Sequence, residues 1–217
     1  WNRTDMRTDD LVHAMVADRA AAQSPLGRQF ALAIVIGFAI SAVLFWINLG
    51  PRPDIAAAAL TVRFDLKIVQ ALLLAATAVA LVSRLARPGA GTGLQKAALT
   101  AVPSLLAIAV IAELLIVPAG EWQAKLVGSN AGICLTAIPL LSLPLLAALL
   151  LALRHGAPTS RAAAGAAAGL VAGGLGAALY ATHCTDDSPL FVAFWYSIAI
   201  GAVTVLGAVL GRRLLHW

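Results

Sequence analysis

The chain has 217 residues, of which 61% are hydrophobic and only 12% are charged, and its mean hydropathy is +0.90. Soluble domains carry about 25% charged residues, so this composition excludes a soluble protein and indicates an integral membrane protein. The net charge of +5 is explained by the placement of basic residues around membrane spans, and does not indicate binding to nucleic acid.

The N-terminal part precedes the apolar runs. Residues 1–5 are expected to be a vector-derived remnant ahead of a natural start at Met6. Residues 6–28 are predicted to be a cytoplasmic amphipathic segment, because acidic residues in its first turn and an apolar stripe at helical spacing indicate a short helix. The segment has few basic residues, so its stripe suits a partner protein better than a lipid surface. The residues expected to contact that partner are Asp9, Asp10, Leu11, Val12 and Met15.

Six nearly uncharged runs follow, and each is long enough for a helix to cross a hydrocarbon core about 30 Å thick. A helix satisfies its own backbone hydrogen bonds in lipid, and period-2 alternation is absent from the runs. Residues 29–217 are therefore predicted to form an all-α bundle, a polytopic membrane protein with six transmembrane helices. The predicted spans are 30–47, 66–82, 98–117, 131–153, 162–182 and 190–210.

Basic residues determine the predicted orientation. Eleven of the 15 Lys and Arg residues lie in the N-terminal segment, the second and fourth loops and the C-terminal tail. Because basic residues concentrate on the cytoplasmic side of membrane proteins, both termini are predicted to be cytoplasmic. The four basic residues left on the outer side are Arg52, Arg63, Lys67 and Lys125.

Two features inside the spans carry separate predictions. Glu113 lies five residues before Pro118, which places it about 7 to 8 Å from the outer end of the third span. A carboxyl group at this depth usually faces the bundle interior, and either a functional role or a hydrogen bond in its protonated form fits here. Gly165, Gly169 and Gly173 have the four-residue spacing that lets helices approach closely, within one bundle or across a homodimer.

A polar turn between the fifth and sixth spans contains the most reactive side chains. Cys184 lies in this turn beside His183. Cys134 lies near the outer end of the fourth span, so both cysteines are predicted to lie on the same side of the membrane. Three interpretations stay open for the pair: a structural disulfide, a redox or metal switch, or two inert buried thiols.

The same turn offers ligands for a metal ion. Thiolate, imidazole and carboxylate groups together suit a soft or borderline ion such as Cu, Zn or Cd. The candidate ligands and supporting groups are Cys134, Cys184, His183, Glu113 and Asp186. The signal is weak because the chain has no C-x-x-C or H-x-x-x-H spacing. Asp187 or Ser188 followed by Pro189 is typical of a helix start, so Asp187 is interpreted as a cap and not as a ligand.

Two segments together resemble a known family. TDDLVHAMVAD at residues 8–18, LYATHCTDDSPLFVAFWY at residues 179–196, and a cysteine that opens the fourth of six spans resemble the NrsF family of bacterial membrane anti-sigma factors. The resemblance extends from Met6 to Trp217. It implies a non-enzymatic protein that holds an extracytoplasmic-function (ECF) sigma factor at the cytoplasmic face of the inner membrane, without touching nucleic acid itself. It also implies that two outer-side cysteines, by position Cys134 and Cys184, release the sigma factor under oxidant or heavy-metal stress.

Alternative functions follow from the same residues. A membrane thiol-disulfide oxidoreductase generally needs two cysteine pairs, and this chain has one. A small transporter is expected to carry more intramembrane polar residues than Glu113 and Gln70. A structural membrane protein is the remaining alternative.

Overall fold

The computed structural model describes residues 25–86, 91–156, 158 and 160–215, and these residues form helices and turns with no strand. Six helices are long and apolar enough to cross a membrane. They are α1 (Pro25–Asn48), α3 (Val62–Leu85), α4 (Gly93–Ile116), α6 (Ala131–Leu153), α7 (Arg161–Ala181) and α8 (Pro189–Leu214). Two short helices, α2 (Ile55–Ala58) and α5 (Trp122–Val127), lie in the connections.

The prediction of an all-α chain with six long apolar helices is confirmed for the described residues. Each long helix lies at the position of one predicted span. The segment predicted to bind a partner, with Asp9, Asp10, Leu11, Val12 and Met15, lies outside the described residues.

Helix α7 forms the centre of the bundle because its small residues let three neighbouring helices approach it. A Cβ atom added at Gly169 would lie 2.7 Å from the carbonyl oxygen of Val203 in α8, and one added at Gly174 would lie 3.0 Å from that of Ala71 in α3. The Cβ at Gly176 would collide with the Ser142 side chain in α6. The predicted close packing through small residues is therefore found within one bundle.

The outer surfaces of the long helices expose large apolar side chains. Val35 in α1 is 64% exposed, Ile108 in α4 is 64% exposed and Leu115 in α4 is 82% exposed. Exposed apolar area of this extent is unusual for a protein in water. It is the surface expected where acyl chains replace water as the solvent.

Two buried clusters occupy opposite ends of the bundle. One includes Phe30 near the start of α1 and Leu153 at the end of α6. The other includes Phe45 near the end of α1, Cys134 near the start of α6 and Cys184 in the α7–α8 connection. Both cysteines therefore lie at the same end of the bundle.

Candidate functional site

Cys134 and Cys184 are both free cysteines, and neither has any exposed surface. They share one apolar cluster with the rings of Tyr180, Phe191 and Tyr196. We call these five residues the cysteine cluster. Tyr180 and Tyr196 have ring centroids 5.9 Å apart, and Tyr196 meets Phe191 edge to face at 6.3 Å. The rings exclude solvent from the thiols.

Hydrogen bonds through Tyr180 and Asn130 connect the two cysteines. The backbone N–H of Cys184 donates to the Tyr180 carbonyl oxygen at 3.0 Å, and that of Cys134 donates to the Asn130 carbonyl oxygen at 2.8 Å. The Tyr180 hydroxyl donates to the same Asn130 oxygen at 3.4 Å. These hydrogen bonds join the α7–α8 connection to the start of α6.

Asp186 fixes the start of α6 from the opposite side of the turn. Its Oδ2 accepts hydrogen bonds from the backbone N–H groups of Ser129 at 3.0 Å and Asn130 at 2.8 Å, and from the Asn130 side-chain amide at 2.9 Å. A carboxylate that accepts bonds from N–H groups in front of a helix stabilises that helix end. Asp186 therefore positions α6, the helix that carries Cys134.

Two buried cations, Arg52 and Lys67, hold the backbone at Cys184. The Cys184 carbonyl oxygen accepts from Lys67 Nζ at 2.8 Å and from Arg52 Nη1 at 3.3 Å. The carboxylate of Asp187 bridges the two, with Oδ1 2.5 Å from Lys67 and Oδ2 2.8 Å from Arg52. We call Arg52, Lys67 and Asp187 the buried ion cluster.

Two neighbours complete the surroundings of the buried ion cluster. The Phe64 ring lies beneath both cations, with its centroid 5.3 Å from Lys67 Nζ and 5.8 Å from the Arg52 guanidinium carbon, within the range of cation–π attraction. Asp54 gives Arg52 a second carboxylate partner at 2.7 Å. Two carboxylates therefore balance the two cations.

The interpretation of Asp187 as a helix cap is wrong. Ser188 is the N-cap of α8, because its side chain accepts from the Leu190 N–H at 3.3 Å and Pro189 follows at the first helical position. Asp187 instead bridges Arg52 and Lys67. A carboxylate beside two buried cations gains more from neutralising them than from a neutral N–H group.

Glu113 forms a second ion pair near the same end of the bundle. Its Oε2 lies 2.7 Å from the Arg63 guanidinium, and its Oε1 accepts from the Ser188 hydroxyl at 3.4 Å. Glu113 therefore links α4 to Arg63 in α3 and to Ser188 at the start of α8. The pair lines an outer cleft of about 670 Å³ that also contains Glu121 and Lys125.

The candidate metal ligands are engaged in other hydrogen bonds. Nδ1 of His183 lies 2.8 Å from the Gly50 carbonyl oxygen, so this nitrogen donates its proton there and only Nε2 keeps a lone pair. Asp186 and Glu113 accept the bonds described above. Within residues 25–86, 91–156, 158 and 160–215, no three His, Cys, Asp or Glu side chains come together in a geometry suited to a metal ion. The residues present therefore do not fit a metal site without rearrangement.

The electrostatic environment keeps the Cys184 thiol protonated. Burial raises the pKa of Cys184, and the positive charge of Lys67 opposes that shift. Next to the buried ion cluster, the hydrogen bond between Arg52 and Asp54 raises the pKa of Arg52 and lowers the pKa of Asp54. The thiolate is the nucleophilic form of cysteine, so Cys184 reacts slowly while the turn is closed.

Sequence reasoning missed Arg52 and Lys67 as parts of the site. Both had been counted only as basic residues on the outer side. Their predicted position on the outer side could have indicated a role, because Lys and Arg usually concentrate on the cytoplasmic side of a membrane protein. Lys67 also lies inside a predicted span, where a charge needs a partner.

The chain is similar to known proteins over nearly all of its length. A family model described as "Negative regulator of sigma F", NrsF, matches residues 15–217. The "Anti-sigma-F factor NrsF" of Caulobacter vibrioides is 38% identical over 217 residues, which is 98% of this chain and 100% of the relative. The "Probable anti-sigma-F factor NrsF" of Azospira oryzae is 36% identical over 214 residues, with the same two coverages. No solved structure matches the chain significantly.

Proposed function

The chain belongs to the NrsF family of negative regulators of sigma F, and we propose that it holds an ECF sigma factor at the cytoplasmic face of a bacterial inner membrane. It is a regulatory protein and not an enzyme. We further propose that oxidation of Cys134 and Cys184 on the outer side releases the sigma factor. The observation that carries the proposal is similarity to two named anti-sigma factors over 98% of this chain.

Charge supports the proposed orientation. The basic residues at the bundle end opposite to the cysteines include Arg84, Arg154, Arg161, Arg212 and Arg213. This end is the cytoplasmic one if basic residues face the cytoplasm. The cysteine cluster then faces the periplasm, where an oxidising environment allows disulfides to form. The N-terminal segment, with Asp9, Asp10, Leu11, Val12 and Met15, is the proposed binding site for the sigma factor.

Oxidation changes the connection between α7 and α8. A peroxide takes two electrons and two protons from the thiols, the two sulfur atoms form one bond, and the peroxide leaves as water and an alcohol or as two waters. A disulfide requires a specific geometry, so its formation repositions Cys184 relative to α6. The buried ion cluster and the Tyr180 hydrogen bond hold the reduced arrangement, and both must adjust.

Disulfide formation can supply the free energy that is needed to shift the protein from one state to the other. Moving a population from 1:99 to 99:1 takes about 5.5 kcal/mol of preference for one state. Disulfide formation together with loss of the contacts of a buried ion pair, about 3–5 kcal/mol by itself, is of that order. The reduced protein binds the sigma factor and the oxidised protein does not.

Heavy-metal capture is the alternative signal. Two thiolates attract Cu, Zn or Cd, but His183, Glu113 and Asp186 are bound to other groups. Capture therefore needs an opened turn, and no step of the proposed mechanism passes through a metal.

The test compares retention of the co-expressed sigma factor in membranes before and after stress. Peroxide should release it from the wild-type protein, and Cys134→Ser and Cys184→Ser should each abolish that release. Thr185→Ser is the matched control, because it alters the same turn while keeping the hydroxyl that accepts from Asn130. Cadmium in a parallel arm separates metal from oxidant. Unchanged peroxide release from both cysteine variants would refute the sensor role.

A further inference from the structure

A second cavity lies beside the cysteine cluster, within the apolar part of the bundle. It has a volume of about 460 Å³ and is bounded by residues of α3, α4, α7 and α8. Its lining is almost entirely apolar, and the residues used below are Gln70, Leu99, Val102, Pro103, Tyr196 and Gly201. Small-molecule sites are typically of this size and consist of apolar walls with a few placed polar groups.

One polar atom of this lining has no hydrogen-bond partner. Gln70 is 7% exposed, and its Oε1 makes no hydrogen bond. The other end of the Gln70 amide donates to the Val102 carbonyl oxygen at 2.6 Å, which fixes Oε1 as the free atom. Nearly all buried polar groups in proteins are paired, so this oxygen calls for a partner.

Backbone chemistry adds a further acceptor to the cavity wall. Pro103 lies inside α4 and has no N–H to donate to the carbonyl of Leu99, one turn earlier. Tyr196, which lines the cavity, lies at the end of a π-helical turn, Val192–Tyr196, a feature often found at functional sites. The cavity thus offers mainly acceptors, from different helices.

We propose that this cavity binds a neutral, lipid-soluble hydroquinone. Hydroxyl groups supply the donors that Gln70 Oε1 and the Leu99 carbonyl lack. A flat ring holds two hydroxyls rigidly and so loses little conformational freedom on binding. A charged ligand is disfavoured, because Lys67, the one charged residue of the lining, already pairs with Asp187.

The acceptor-rich lining distinguishes the two redox forms of such a ligand. A hydroquinone donates to Gln70 Oε1, whereas the corresponding quinone has only acceptors and leaves that oxygen unpaired. The site is therefore selective for the reduced form.

The cavity shares two wall residues with the structures around the cysteines. Lys67 binds the Cys184 carbonyl oxygen, and Tyr196 belongs to the cysteine cluster. Occupancy of the cavity therefore acts on one residue that holds the Cys184 backbone and on one that packs in the cysteine cluster. Binding itself does not rest on the proposed function, and its test is separate from sigma-factor release.

The test uses the full chain in phosphatidylcholine nanodiscs under anaerobic conditions. The probes are 2-decyl-1,4-hydroquinone and its 1,4-dimethyl ether, which has a similar apolar surface but no donors. Titration calorimetry should show binding of the hydroquinone and at least roughly tenfold weaker binding of the ether, since a buried acceptor is left unpaired. Gln70→Leu should remove this preference. Equal affinity for the two probes in the wild-type protein would overturn the proposal.

A cavity-filling variant tests the location. A Cβ at Gly201 meets nothing within 4 Å, so Gly201→Leu fills the cavity without a backbone clash and should abolish binding. Gly132→Leu is the matched control, because Gly132 is also helical and open but lies outside the cavity. Hydroquinone binding by Gly201→Leu at wild-type affinity would place the site elsewhere and contradict the assignment. Competition by dioctanoylglycerol at equal concentration would identify a lipid-alcohol site and overturn the choice of a ring.

Discussion

Replacing Asp187 by asparagine removes the negative charge at the centre of the buried ion cluster. Lys67 has a fully buried side chain and no other carboxylate partner in the described part of the chain, while Arg52 keeps Asp54. Loss of one partner from a buried pair costs about 3–5 kcal/mol. The Cys184 carbonyl continues to accept from Lys67, so the lower end, about 3 kcal/mol, is expected. For a chain of this length, that lowers the melting temperature by roughly 6–12 °C.

Circular dichroism of the purified protein in nanodiscs measures this shift. Asp54→Asn is the matched control, because Asp54 is more than half exposed and its loss leaves Arg52 paired with Asp187; little change is expected. The double variant Lys67→Met and Asp187→Asn should recover most of the loss, since no buried charge is then left unpaired at position 67. If Asp187→Asn melts at the same temperature as Asp54→Asn, the buried ion cluster does not stabilise this end of the bundle.

Two further predictions concern packing and reactivity. Gly169→Leu should prevent close approach of α7 and α8, because a Cβ there lies 2.7 Å from the Val203 carbonyl oxygen. The expected loss of folding stability, about 1–3 kcal/mol, is measurable by thermal melting. Melting at the wild-type temperature would disprove this packing. Alkylation of Cys184 by iodoacetamide should be slower than that of a free thiol and should still increase with pH above about 8.5, because burial raises the pKa of this thiol. Mass spectrometry follows the modification, and a rate that levels off near neutral pH would contradict the closed turn.

The six helices could be predicted because each depends on local hydropathy. Ser188 and Pro189 likewise predict the start of α8 from neighbouring residues alone. The role of Asp187 could not be obtained in this way. Its partner Lys67 lies 120 positions away, and a sequence pattern does not show which distant charges meet. The local pattern at Asp187, Ser188 and Pro189 therefore predicts a helix cap instead.

The residues of the cysteine site also differ in whether local sequence could predict their roles. The polar turn and the two cysteines could be identified from their chemistry, and the structure brings both into one cluster. The roles of His183 and Asp186 could not, because their partners are backbone groups of Gly50, Ser129 and Asn130. Every residue carries the same backbone groups, so residue identity does not show where such a hydrogen bond forms. In the structure, His183 and Asp186 form hydrogen bonds to the backbone of other turns.

The most direct test of the proposed regulation measures sigma-factor binding and thiol oxidation in one sample. The reduced full-length protein in nanodiscs is mixed with the host's ECF sigma factor, treated with increasing peroxide, and separated by size exclusion, with free thiols counted by mass spectrometry. We expect the sigma factor to co-elute with the reduced protein and to dissociate in proportion to the joint loss of the Cys134 and Cys184 thiols. Failure of the reduced protein to bind, or dissociation while both thiols remain intact, would contradict the account.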